Sequence, residues 1–439
     1  MQSHYSHRRV WHVAGPMIAS NITVPLLGMV DTAVVGHLDT PLYLAAVAVG
    51  ATIFSFLFLS FNFLRMGTTG VAAQAMGNNN HDAVRSVLLQ AGVVALGIAA
   101  ALLVLQQPLG QLALTLIDPE ADVSNAAAGY FSVRIWAAPA VLLNYAIVGW
   151  FIGLQNGRAP LMIMLVVNVI NIALDLLFVL QWGMAARGVA AASVVAEFCG
   201  LLLALWLVRR QLRQHPSDAS LASLWDPQRL KRLLSVNGHL LVRSIALMFT
   251  FALFTTLGAR QSSLILAANA VLLNFQTLMA YALDGFANAA EALIGRAIGA
   301  NDAAGLRLAW RNTLIWSLGI ALVFTVLYAL IGNPLIHVMT DLDDVRKTAR
   351  EFLPWLVVLP LASVWCFFYD GVFVGATRAV EMRNSMLLAA ALFIPLAFGL
   401  LHLLGNHGLW LAMTIFMLAR GIAQHLIWRR VAPPVATQS

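Results

Sequence analysis

The sequence predicts an all-α polytopic membrane protein: twelve transmembrane helices as two six-helix lobes, related by a pseudo-two-fold axis along the membrane normal. Three observations carry this. Of 439 residues, 60% are hydrophobic and 10% charged, with a mean hydropathy of +0.81, far from the composition of a soluble domain. Apolar windows of spanning length recur about twelve times. The second half also repeats motifs of the first at a constant offset.

The expected spans are 11–36, 44–66, 85–107, 128–153, 160–181, 188–209, 232–258, 264–290, 308–331, 351–375, 384–404 and 408–428. Basic residues gather before the odd-numbered spans and in the tail, for example Arg8, Arg9, Arg85, Arg158, Arg209, Arg210, Arg213, Arg311, Arg378, Arg383, Arg429 and Arg430. The opposite connections carry acids such as Asp118, Glu120, Asp122, Asp341, Asp343 and Asp344. By the positive-inside rule both termini are cytoplasmic. The pI of about 9.9 therefore reflects topology rather than a nucleic-acid surface. No cleavable signal is expected, because His7-Arg8-Arg9 leads straight into span 1.

The longest polar connection, from Gln211 to Gln228, holds Pro216, Pro227, serines and charge, and reads as a linker. The chain thus divides into an N-lobe (1–210), a cytoplasmic linker (211–228) and a C-lobe (229–439). At an offset of 222, Leu44-Ala45-Ala46 repeats as Leu266-Ala267-Ala268 and Ala75-Met76-Gly77 as Ala297-Ile298-Gly299. Leu96-Gly97 repeats as Leu318-Gly319, and Gly149-Trp150-Phe151-Ile152-Gly153 as Gly371-Val372-Phe373-Val374-Gly375. Six helices per copy give both copies one orientation, which sets the axis along the membrane normal.

Span 1 carries one acid, Asp31, together with Pro16, Asn21, Pro25 and Gly28. A charged carboxylate deep in hydrocarbon costs about 2.5–3.5 kcal/mol on insertion scales, so such a group faces a bundle interior or a water-filled cavity. Pro16 and Pro25 each remove a helical hydrogen bond, which makes them candidate hinges. Span 5 sets Asn168, Asn171 and Asp175 at spacings of three and four, one stripe on an otherwise apolar helix. Facing span 1, that stripe would pair Asp175 with Asp31 in a site for a proton or a small hard cation. Ser193 on span 6 is compatible with the same pocket. The plainer alternative makes the asparagines interhelical glue and Asp175 a helix-end residue.

Span 8 aligns Asn274, Tyr281, Asp284, Asn288 and Glu291, and span 2 offers Asn62 and Arg65. Pairing of Arg65 with Asp284 or Glu291 would form a gate between lobes. Alternatively Arg65 snorkels and Glu291 bonds Arg296 or Arg243. Asp370 on span 10 and Glu197 on span 6 are further buried acids, with a coupling or a structural role. Phe54, Phe58, Phe61, Met29, Met279 and Phe286 suit either core or an adaptable apolar pocket.

Other chemistry finds no support. Gly67-Thr68-Thr69-Gly70 and Gly77-Asn78-Asn79-Asn80 lack the spacing and lysine of a phosphate loop. The histidines show no metal spacing, and Cys199 and Cys366 both lie in apolar runs. Neither a metal nor another cofactor is expected.

The segments PMIASNITVPLLGMVDTAVVGHL, LAAVAVGATIFSFLFLSFNFLRMGTTGVAAQAMG, DGFANAAEALIGRAIG and DGVFVGATR resemble the multidrug and toxin extrusion (MATE) family, DinF-like branch. The resemblance covers essentially the whole chain. It implies two lobes around a central cleft and alternating access, with export of organic, often lipophilic cations or amphiphiles in exchange for H+ or Na+. An inner-membrane protein acting as a monomer is expected. In that branch the helix-1 aspartate carries the proton and a helix-1 proline bends, here Asp31 and Pro16, with Asn171, Asp175 and Ser193 as the supporting polar cluster. Sodium-coupled branches use a span 7 glutamate and a span 10 aspartate. This chain has no acid in span 7, and Phe367 stands at the matching span 10 position, which favours H+. The competing readings are a lipid-linked oligosaccharide flippase of the same superfamily, which would need a cationic cavity beyond Arg65 and Arg243, and an intramembrane aspartyl-type enzyme.

Overall fold

The structure is a computed structural model that describes residues 2–36, 40–214 and 225–432; within helices, the side chains of Gln2, Ser3, 24–26, Met29 and Thr32 are outside it. Most of the expected linker, 215–224, lies outside the described residues. No strand occurs among those described. Eleven described helices are long and apolar enough to cross a membrane. With α1 (His7–Gly36) they fill the twelve expected positions, and the chain is a multi-pass, all-α membrane protein.

Span 2 is built from α2 (Pro41–Ser60) and α3 (Phe63–Gly77), and span 3 is α4 (His81–Val104), followed by the short α5 (Gln106–Ile117). Span 4 joins α6 (Ala121–Arg134) to α7 (Ala138–Gly153), while spans 5 and 6 are α8 (Arg158–Asp175) and α9 (Ala185–Leu212). The second half holds α10 (Pro227–Gln261), α11 (Ser263–Gly299), α12 (Ala303–Met339), α13 (Asp343–Gly375), α14 (Ala379–Leu404) and α15 (Asn406–Val431). Several helices outrun their hydrophobic windows, because capped polar turns extend them. Asn80 accepts from Ala83 N at the start of α4, and Asp302 accepts from Gly305 N at the start of α12, both at 2.8 Å.

Those two caps are themselves 222 residues apart, and the internal repeat is structural throughout. Asn79 (φ 50°) and Asn301 (φ 51°) are left-handed at equivalent turns, as are Gln155 (φ 61°) and Thr377 (φ 55°). A Cβ on Gly149 would lie 2.2 Å from the Arg65 carbonyl oxygen, and one on Gly371 would lie 2.4 Å from that of Ala287. In each half, therefore, the fourth helix of the repeat touches the backbone of the second, a contact only a small residue permits.

The chain packs as two units, 19–233 and 1–18 with 234–439. This division departs from the sequence halves at α1. Tyr5 O accepts from Asn312 Nδ2 at 2.7 Å, His7 Nδ1 accepts from Trp316 Nε1 at 3.1 Å, and Trp11 packs edge-on against Phe286 and Trp316. Ala14 and Ile18 close against Gly285. These anchors hold the first turns of α1 to the second half, whereas from Ala19 onward the helix belongs to the first. Pro16 sits just before the changeover.

Candidate functional site

In the 19–233 unit, α1 brings Asp31 to the polar stripe of α8. Asn171 is the bridge. With its amide oriented so that every partner is complementary, Nδ2 donates to Asp175 Oδ2 at 2.7 Å and to Asp31 Oδ1 at 3.3 Å. Its Oδ1 accepts from Ser193 N at 3.1 Å and Ser193 Oγ at 2.9 Å, which ties α9 into the cluster. The amide thus sets the two carboxyls side by side. Asp175 and Asn171 are buried, and Asp31 is half-buried. Asn168, one turn earlier on α8, donates to the Thr23 carbonyl of α1 at 3.5 Å. Among the described residues, Asp175 Oδ1 and Asn168 Oδ1 have no hydrogen-bond partner. The site therefore combines carboxyl, amide and hydroxyl oxygens with spare acceptor capacity, suited to a proton or a hard cation.

Asp175 is the last α-helical residue of α8. Beyond it the backbone widens into a π turn, Leu176–Gln181, with Trp182 N donating to Leu177 O. Such widened turns occur frequently at functional sites. Nothing in the apolar run LLFVLQ announces it.

One cation at this site escaped the sequence reading. Arg134 ends α6, where Ile135–Ala137 tightens into a 3-10 turn before Pro139 restarts the helix. Its guanidinium lies 5.8 Å from the centroid of Phe54 and 5.4 Å from that of Phe58, stacked on aromatic faces. It attracts both Asp31 and Asp175. Its Nη1 has no hydrogen-bond partner among the described residues. Phe54 and Phe58 are thus buried and floor a mixed aromatic and cationic wall. Pro139, five residues downstream, was the available signal that the span is broken here.

The remaining candidates stand elsewhere. Glu197 accepts from Asn144 Nδ2 at 3.3 Å, a structural tie of α9 to α7. Arg65 Nε donates to Asn62 Oδ1 at 3.2 Å across the α2–α3 break. Arg65 belongs to the 19–233 unit, and half-buried Asp284 and buried Glu291 to the other. The backbone of Pro25 continues α1, but its side chain and that of Met29 lie outside the described residues. Met279 and Phe286 are fully buried in the second unit.

Asp370 is bound on three sides. Arg243 Nη2 and Arg420 Nη2, the latter at 2.7 Å, donate to its Oδ2, while Gln424 Nε2 donates to Oδ1 at 2.6 Å. All four residues are buried, and Asp284 adds attraction to Arg420. The cluster ties α10, α13 and α15 together and, with two guanidiniums on one carboxylate, is net cationic. Arg243, named from the sequence as a partner for Glu291, is engaged here instead. Arg420 escaped the sequence reading inside the last apolar window. No group of three or more metal-binding side chains occurs among the described residues.

Comparison with known proteins agrees with this architecture. The chain is 46% identical to the DNA damage-inducible protein F of Escherichia coli over 97% of its own length and 92% of that protein's. Among solved structures, a mutant of the Vibrio cholerae MATE transporter VcmN superposes with a TM-score of 0.86 at 20% identity, covering 98% of both chains. The outward-facing conformation of a multidrug resistance MATE family transporter gives a TM-score of 0.87 at 17% identity, over 97% of this chain and 95% of that one. The sequence profile of the MatE family matches residues 16–177 and 240–399, and the chain belongs to that family of membrane transporters, which are not enzymes.

Proposed function

We propose that this transporter is a secondary active antiporter of the inner membrane. It exports organic, often lipophilic cations in exchange for protons, with both termini in the cytoplasm. The observation that supports this most is the Asn171 clamp, which brings carboxyls from α1 and α8 into one cluster. Protonation of the pair neutralises the site and weakens its hold on a cationic cargo. Deprotonation restores two negative charges that attract it. A ligand shifts a conformational equilibrium only through differential affinity for the two states, and this change of charge supplies the difference.

The division of α1 supports transmission of that change, since the helix bearing Asp31 starts in the other packing unit. Pro16 is the proposed hinge. Arg65 with Asp284 or Glu291 is the proposed gate, and Asp370, already saturated by Arg243, Arg420 and Gln424, is assigned a structural role. No cofactor takes part in this reading, and the working unit is a monomer. The multidrug character of a structural neighbour suits a pocket containing Phe54 and Phe58, whose faces stack on cations.

The decisive experiment uses proteoliposomes with separately imposed H+ and Na+ gradients and a fluorescent organic cation as cargo. A pH gradient alone should drive transport in the wild type, and Asp31→Asn should abolish it while the protein still folds. Transport driven only by Na+ would assign the oxygen-rich site to sodium. Unimpaired transport by Asp31→Asn would refute the assignment of that carboxyl.

A further inference from the structure

A second feature of the 19–233 unit stands apart from the carboxyl site. Between α4 and the last turns of α9 lies a cavity of about 360 Å³, lined by Arg85, Leu205, Val208, Arg209, Leu212 and Arg213. Five of these six come from α9 and its C-cap, at spacings of three and four that set them on one helical face. Along the helix this face changes character, from Leu205 and Val208 to Arg209 and Arg213. Arg85 reaches across from α4, where its Nη2 donates to the Leu212 carbonyl at 3.0 Å. That bond caps the helix end and fixes one guanidinium at the rim. Among the described residues, three arginines and no acid line the cavity.

The surroundings say what kind of anion fits. Leu202, Leu205 and Trp206 are 68%, 48% and 55% exposed on a helix apolar enough to cross a membrane, so they meet acyl chains. Trp206 also lies under the Arg210 guanidinium, 5.9 Å from its ring centroid, the placement of an aromatic residue at a membrane–water interface. A soluble phosphate would use only the arginines. An amphiphile would use the whole face, phosphate on Arg85, Arg209 and Arg213 and chains along the leucines. We propose that this groove binds the phosphate headgroup of an anionic phospholipid, in the leaflet that the arginine distribution assigns to the cytoplasm. Planar guanidiniums bind phosphate oxygens in pairs, and basic pockets between membrane helices hold anionic headgroups.

Native mass spectrometry of the purified full-length protein tests this. The protein is given phosphatidylglycerol and phosphatidylcholine of the same acyl composition, with free glycerol phosphate as competitor. Preferential retention of phosphatidylglycerol is expected. The double substitution Arg209→Gln/Arg213→Gln should weaken it about thirtyfold. Arg429→Gln/Arg430→Gln, the same charge change at another helix end, should leave it within about twofold. Equal retention of the two lipids by the wild type, a comparison that needs no variant, overturns the proposal. So does retention undiminished in the Arg209/Arg213 variant, or equal loss in the Arg429/Arg430 variant. Displacement by glycerol phosphate at concentrations matching the lipid would assign the site to a soluble phosphate and likewise overturn it.

Discussion

Asp31 and Asp175, 144 residues apart in sequence, are held by one amide: Asn171 Nδ2 donates to both, at 3.3 Å and 2.7 Å. The far side of that amide is fastened twice to Ser193, through its backbone N–H and its hydroxyl. The two fastenings predict unequal variants. Asn171→Leu removes the donor to both carboxyls and should lower gradient-driven transport about tenfold or more. Ser193→Ala leaves the backbone donor in place and should cost about two- to threefold, less than one full hydrogen bond. Initial rates in proteoliposomes, normalised to folded protein, decide between this order and its reverse.

Arg134 is a fixed cation near a site proposed to take cationic cargo. Arg134→Gln should therefore tighten binding of a monovalent organic cation by about tenfold, the order expected for one partly screened charge. Arg134→Lys should stay close to the wild type. Equilibrium binding by fluorescence polarisation measures both, and weaker binding by Arg134→Gln would show that the guanidinium supports the site rather than competing with the cargo.

The Asp370 cluster makes a prediction about sign. Removing one arginine leaves a neutral pair, whereas Asp370→Asn leaves two buried guanidiniums facing each other. Asp370→Asn should destabilise by about 3–5 kcal/mol, the range for stranding a buried charge, and Arg243→Met by clearly less. Thermal unfolding in detergent gives the order directly.

The repeat supplies a paired test. Gly149→Val and Gly371→Val each drive a side chain into a facing backbone carbonyl and should cost at least about 1–3 kcal/mol. Gly97 and Gly319, also 222 apart, have nothing within 4 Å of where a Cβ would stand. Valine there should stay within about 0.5 kcal/mol of the wild type. Matched unfolding curves for the four variants check both halves of the molecule together.

Much of this was legible in the sequence because hydropathy and spacing are local properties. The windows located the helices, the offset of 222 exposed the internal repeat, and the Asn168, Asn171 and Asp175 spacing set those residues on one face. What stayed hidden depends on partners distant in the chain or on backbone detail. Arg134 and Arg420 each fell within or beside a long apolar window that absorbed a single charge. Only contacts from other helices (Phe54 and Phe58 for the first, Asp370 for the second) reveal what those arginines do. The π turn after Asp175 and the break before Arg65 left no compositional mark, since neither required an unusual residue. The membership of the first 18 residues was also invisible, because covalent order places them with the half they do not pack against.

That membership makes α1 a tether. Its start is secured by Tyr5, His7 and Trp11 to one body, while its carboxyl serves the other. The backbone between Trp11 and Asp31 is one of the two places where the chain passes between the bodies, the other being within α10. Pro16, the proposed hinge, cannot donate to the His12 carbonyl four residues earlier. Two amide hydrogens, at Pro16 and Pro25, are thus missing from the link, and a residue that restored either is expected to stiffen it without touching the carboxyl cluster.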